Sequence, residues 1–203
     1  MPPRKPQRAA APTAGGGRSG FIRLISGQWK GRKLPVRDVE GLRPTTDRVK
    51  ETVFNWLAGD VRGSRCLDLF AGSGSLGFEA LSRYADCVIM IERDPLAARQ
   101  LQQNLQQLGS NQGQVIQADA RQWLSGPAQP FDLVFLDPPF RQDLLPQVCQ
   151  LLEQGGWLTD QALIYLERER EGNAPALPAN WQLLKDKQAG QVCYQLYLRE
   201  EQA

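Results

Sequence analysis

Between residues 65 and 168, short apolar runs alternate with amphipathic stretches, and this alternation limits the fold more than any other feature. RCLDLF (65–70), CVIMIE (87–92), QVIQAD (114–119), FDLVFLD (131–137) and ALIYLER (162–168) read as strands. The second is almost unbroken in apolar character, the pattern of a strand buried on both faces. SLGFEALSRY (75–84) and LLPQVCQLLEQG (144–155) read as helices. A further helix opens at Asp94-Pro95, an N-cap followed by proline at the first helical position. It carries Ala97, Leu101, Leu105 and Leu108 on one stripe and stops at Gly109. Such alternation predicts an α/β fold with a doubly wound, mostly parallel sheet. WQLLKDKQAGQVCYQLYLRE adds two strands turning near Ala189-Gly190, for seven strands with an antiparallel C-terminal hairpin.

Upstream, FIRLIS and WKGRKLPV flank a Gly-Gln turn and predict a small N-terminal β-hairpin. GLRPTTDRVKETVFNWLAG then predicts a helix begun by Pro44-Thr45-Thr46 and ended at Gly59, with Val49, Val53, Trp56 and Leu57 on one face. The organisation expected is a basic tail over 1–20, a hairpin-and-helix unit over 21–60 and the α/β domain over 61–203. The tail holds four prolines, four glycines and no aromatic or branched aliphatic residue, so it is expected to be disordered. It lacks the apolar core of a signal peptide and the amphipathic face of a transit peptide.

Composition removes whole classes of chemistry. Histidine is absent, which excludes Ser-His-Asp and Cys-His catalysis and any His-ligated metal. Cys66, Cys87, Cys149 and Cys193 form no CxxC pair and read as structural thiols of a reducing cytoplasm. The longest apolar runs, such as the five residues at 87–91, fall far short of the ~18 a membrane span needs. The net charge of +2 conceals an asymmetry: residues 1–37 hold nine basic residues and no acid. A basic arm on an acidic body points to a polyanionic partner, through counterion release from phosphates. Trp29 among Lys30, Arg32 and Lys33 fits base stacking with phosphate contact, and equally fits an anchor for the hairpin. Arg43, Thr45, Arg48 and Lys50 near the helix start extend the basic patch.

Ligands of doubly wound sheets bind beyond the carboxyl ends of the strands, and four groups sit there. Gly72, Gly74 and Gly77 form GxGxxG between strand and helix, within Asp68-Leu-Phe70-Ala71-Gly72-Ser73-Gly74. Glu92 lies twenty residues beyond Gly72 and suits the two hydroxyls of an adenosine ribose. Both features fit NAD and S-adenosylmethionine alike. Asp119 could accept from an adenine amine or cap a short helix. Finally, Asp137-Pro138-Pro139-Phe140 follows a buried strand. Two prolines fix the backbone, so the Asp137 carboxylate and the Pro138 carbonyl offer two rigid acceptors beside the flat Phe140 ring. That set suits a flipped base carrying an exocyclic amine.

DLFAGSGSLG followed by DPPF resembles the class I S-adenosylmethionine-dependent amino-methyltransferases, with their Rossmann-like sheet. With RLISGQWKGRKLP and LRPTTDRVKETVFNWL, the chain from about Arg23 to Arg199 resembles the RsmD family of 16S rRNA guanine-N2 methyltransferases. The resemblance implies a monomeric, metal-free, cytoplasmic enzyme that methylates one guanine, usually numbered 966, in the small subunit or its assembly intermediate. It implies that Asp68 and the Phe70–Gly74 loop hold the methionine end of S-adenosylmethionine, Glu92 its ribose, and Asp119 with Ala120 its adenine. Asp137 through Phe140 would hold the target base. An adenine-N6 methyltransferase uses the same motifs, and a protein-glutamine methyltransferase more often begins its fourth motif with Asn. An NAD-dependent dehydrogenase would leave Asp137–Phe140 unexplained, and a non-catalytic RNA-binding module would leave the intact catalytic loop without a use.

Overall fold

The computed structural model of the chain describes residues 20–37, 46–139, 143–171 and 174–201. Residues 1–19, Arg43, Thr45 and Phe140 of the expectations above lie outside the described residues.

Seven strands form the central sheet: β3 (Arg65–Asp68), β4 (Cys87–Glu92), β5 (Gly113–Gln117), β6 (Phe131–Leu136), β7 (Leu158–Glu169), β8 (Trp181–Ala189) and β9 (Val192–Arg199). Their order is β5-β4-β3-β6-β7-β9-β8. β3 through β7 run parallel, and β9 is antiparallel to both β7 and β8. The order reverses between β3 and β6, which places a ligand crevice at their carboxyl ends. This is the Rossmann-like sheet with a terminal hairpin that the strand–helix alternation predicts.

The helices are α1 (Asp47–Trp56), α2 (Ser75–Ser82), α3 (Pro95–Leu108), α4 (Ala120–Leu124) and α5 (Leu145–Gln154). α3 has the boundaries read from its caps. Asp94 accepts from the N–H groups of Leu96 and Ala97, and Gly109 closes the helix at φ 65°. One apolar cluster on one sheet face joins α1 (Val53, Phe54) and α2 (Phe78, Leu81) to Met90, Leu133, Phe135 and Tyr165. On the other face α5 covers Val134, Leu136 and Ile164.

The N-terminal hairpin is built differently from its expected form. Its strands β1 (Gly20–Arg23) and β2 (Lys33–Val36) are four residues each, and the nine residues between them fold back onto the body. Gln28 N–H donates to Ser82 O at 2.7 Å, Trp29 N–H to Ser82 Oγ at 3.2 Å, and Ile25 and Ser26 N–H to the buried Glu79 carboxylate. Gly27, at φ 80°, lies so close that a Cβ there would stand 1.7 Å from Ser82 O. Ile22, Leu24 and Leu34 join the same cluster as α1 and α2. All eight residues of α2 are therefore buried, with the sheet on one side and the hairpin on the other.

Candidate active site

The glycine loop shows why small residues stand where they do. Gly72 and Gly74 have φ of 52° and 76°, in the left-handed region that side chains disfavour. A Cβ on Gly74 would also meet Phe78 at 2.5 Å and Leu101 at 2.6 Å. Gly77 lets α2 approach the sheet, because a Cβ there would lie 2.8 Å from Met90 Sδ. Its N–H donates to Asp68 Oδ2 at 3.0 Å. Asp68 is buried, and this desolvation raises its pKa to about 7, with Glu92 repulsion adding and the Gly77 hydrogen bond opposing. Phe70 and Ala71 lead into the loop, and Ser73 is buried within it.

Glu92 is preoriented. Its Oε2 accepts from Gly72 N–H at 2.8 Å and its Oε1 from Asp94 N–H at 2.7 Å. Each oxygen keeps a lone pair for a further donor. Asp119 is the N-cap of α4, accepting from the N–H groups of Arg121 and Gln122, and Ala120 begins that helix. The capping role is thus the one the hydrogen bonds display. The Ser75 hydroxyl, in the first turn of α2, is buried without a hydrogen-bond partner among the described residues. Left-handed glycines, a two-acceptor carboxylate and an unpartnered hydroxyl at a helix start together fit a polar nucleoside cofactor.

Asp137 follows β6 and lies on the same sheet face as Phe135 by strand alternation. It is half-buried, Pro138 is buried and Pro139 exposed. Burial first, then the charges of Glu167 and Asp68, holds the Asp137 carboxyl well above the usual carboxylate range. Glu167, near the carboxyl end of β7, was not singled out in the sequence. The rule that found Glu92 and Asp137, an acid at the end of a buried strand, applies equally to ALIYLER. Among the described residues, no group of three or more His, Cys, Asp or Glu is arranged to hold a metal ion. No helix among them is long and apolar enough to cross a membrane.

The basic patch needs one correction. Lys50, expected on an exposed charged face, is buried, and its ammonium donates to Arg23 O at 2.6 Å. Burial lowers its pKa, with Glu79 and Asp47 opposing. The hairpin covers that side of α1, so Lys50 braces the structure and presents no charge to a polyanion. Trp29 is half-buried against the apolar cluster, so of its two readings the packing favours the anchor. Lys30, Arg32, Lys33 and Arg48 are exposed. Val36 and Arg37, at the end of β2, line a shallow depression together with Gly72 and Ser73. The basic hairpin therefore ends beside the glycine loop.

The strand order, the glycine loop and the acids at the strand ends define a class I methyltransferase. The comparisons agree. A family model described as conserved hypothetical protein 95 matches residues 22–198. Ribosomal RNA small subunit methyltransferase D of Escherichia coli (strain K12) is 54% identical over 184 residues, covering 91% of this chain and 93% of that protein. The protein of the same name from Haemophilus influenzae is 54% identical over 183 residues, covering 88% and 94% respectively. The solved structure of yhhF from Escherichia coli superposes with a TM-score of 0.85 at 52% identity, covering 90% of this chain and 100% of that one. The chain belongs to the RsmD family of methyltransferases.

Proposed function

We propose that this chain transfers a methyl group from S-adenosylmethionine to the exocyclic N2 amine of one guanine in small-subunit rRNA, the base equivalent to guanine 966. Membership of a family whose relatives are named small-subunit rRNA methyltransferases supports the substrate class. The observation that carries the chemistry is the placement of Asp137 and Pro138 at the carboxyl end of β6, beside Asp68 at the switch in strand order. The glycine loop with Asp68, Glu92 and the Asp119–Ala120 turn would hold the cofactor, which supplies an electrophilic methyl group when bound.

The remaining work falls to the protein's own groups. Guanine N2 is a weak nucleophile because its lone pair is delocalised into the ring. Acceptors at Asp137 and Pro138 O favour a pyramidal nitrogen and stabilise the positive charge that develops on it. Holding the amine in place contributes up to about 7–11 kcal/mol in favourable cases. In the free site, burial and the neighbouring Glu167 and Asp68 charges disfavour the ionised form of Asp137. An amine donating to it stabilises the ionised carboxylate, so entry of the base and ionisation of Asp137 are coupled. The hairpin and α1 over 21–60 form the substrate-facing unit, and Lys30, Arg32, Lys33 and Arg48 contact phosphates.

Incubation with labelled S-adenosylmethionine and undermethylated small subunits or naked rRNA, followed by mass-spectrometric mapping, tests this reading. The label is expected as N2-methylguanine at one position. Label in N6-methyladenine would replace the assignment with the adenine-N6 reaction.

A further inference from the structure

Asp68 pairs in register with Met90 on β4 and with Phe135 on β6, and Phe135 pairs with Tyr165 on β7. All of these lie on the cluster face that α1 and α2 cover. Two residues further along each strand, on the same face, come Glu92, Asp137 and Glu167. The carboxyl edge therefore carries a row of acids across four adjacent strands. Three of them already have assigned uses; Glu167 has none. It is 6% exposed, an expensive place for a carboxylate without a purpose. Among the described residues, its carboxylate receives one hydrogen bond, from Tyr165 Oη to Oε1 at 2.6 Å. Tyr165 is itself fully buried and packed edge-on against Phe135. The pair is thus locked from below, with Asp137 on the next strand, ~4.8 Å away at the backbone.

We propose that Glu167, held by Tyr165, is a specificity-determining residue that accepts the ring N1–H of the target base while Asp137 and Pro138 O accept its exocyclic amine. This rests on the guanine-N2 reading above. Guanine presents N1–H and the N2 amine side by side on one edge, two donors for two neighbouring carboxylates. Adenine presents an unprotonated N1, which would face the Glu167 lone pairs and be repelled. The two donors also offset the cost of keeping two neighbouring buried carboxylates ionised. Two acceptors at Asp137 and Pro138 recognise an amine on any ring, and Glu167 adds the identity of the ring.

The test uses the full-length enzyme and reconstituted small subunits whose RNA carries either guanine or 2-aminopurine at the target position. 2-Aminopurine keeps the N2 amine and lacks the N1–H. The readout is the ratio of kcat/KM for guanine over 2-aminopurine, which global losses of folding cancel. The wild type is expected to favour guanine by about tenfold or more, the scale of a hydrogen bond to a charged group. Glu167→Gln, whose amide can also donate to a bare N1, is expected to bring the ratio close to unity, and Tyr165→Phe to lower it partway. An unchanged ratio in Glu167→Gln, with guanine still methylated by the wild type, overturns this inference alone. Absence of guanine methylation by the wild type overturns it together with the guanine reading.

Discussion

The two halves of the crevice are finished to different degrees. On the β3–β4 side, the carboxylates already have backbone partners: Gly77 N–H on Asp68, Gly72 and Asp94 N–H on Glu92. On the β6–β7 side, Asp137 and Glu167 stand close together, and burial raises the pKa of both. The first half is preorganised, so a cofactor meets groups that need not move. The second half holds unspent acceptor capacity, which on the proposed function a donor-bearing base would relieve. On that reading catalysis would gain from the division, because interaction energy is withheld until the reacting group arrives.

Asp137→Ala should break the β6–β7 half alone. Turnover is expected to fall by about 10²–10³-fold, the loss seen when one preorganised polar group is removed. Calorimetric binding of S-adenosylmethionine is expected to persist; near-normal turnover would remove Asp137 from the chemistry. Gly74→Ala should do the converse. Its Cβ would strike Phe78 and Leu101 from a left-handed backbone, costing about 1–3 kcal/mol of stability. Cofactor affinity should fall with it, measured by calorimetry alongside thermal melting.

Asp68 sharpens the comparison through pH. Its folded-state pKa of about 7 exceeds the ordinary 3.8. The stability it contributes is therefore full below about pH 4 and lost as pH rises through about 7. Asp68→Asn should melt close to the wild type at pH 4 and above it at pH 8, by ~2–4 °C for each kcal/mol recovered. Equal melting temperatures at pH 8 would mean that the buried carboxylate carries no such penalty. The smallest effect concerns the basic surface outside both halves. Replacing Arg32 and Lys33 by Ala should reduce the slope of log K for RNA against log salt by about one per lost phosphate contact. Lys50→Met, by contrast, should leave that slope unchanged, because the Lys50 charge is buried.

What could be read from the sequence was what local chemistry decides. α3 was legible end to end because Asp94, Pro95 and Gly109 act on their immediate neighbours. The glycine loop and the acids after β3, β4 and β6 were legible because a break in an apolar run marks a strand end. The hairpin itself is legible, but not the length of its connection, because those nine residues are shaped by Ser82 and Glu79, more than fifty residues away. The burial of Lys50 is hidden from the sequence for the same reason: it depends on what the hairpin lays over α1. Asp119 shows a third case, where one residue type at one position serves both as a cap and as a candidate ligand.

The docking of the hairpin loop onto α2 also bears on the order in which the molecule assembles. Residues 20–36 emerge before α2 during synthesis, their partners on that helix lying 53 to 56 positions later. Two four-residue strands are marginal alone in water. The hairpin segment must therefore wait, uncommitted, until α2 has followed it out. Closing so long a loop slows folding. The basic surface of the hairpin is thus completed only once α2 is in place.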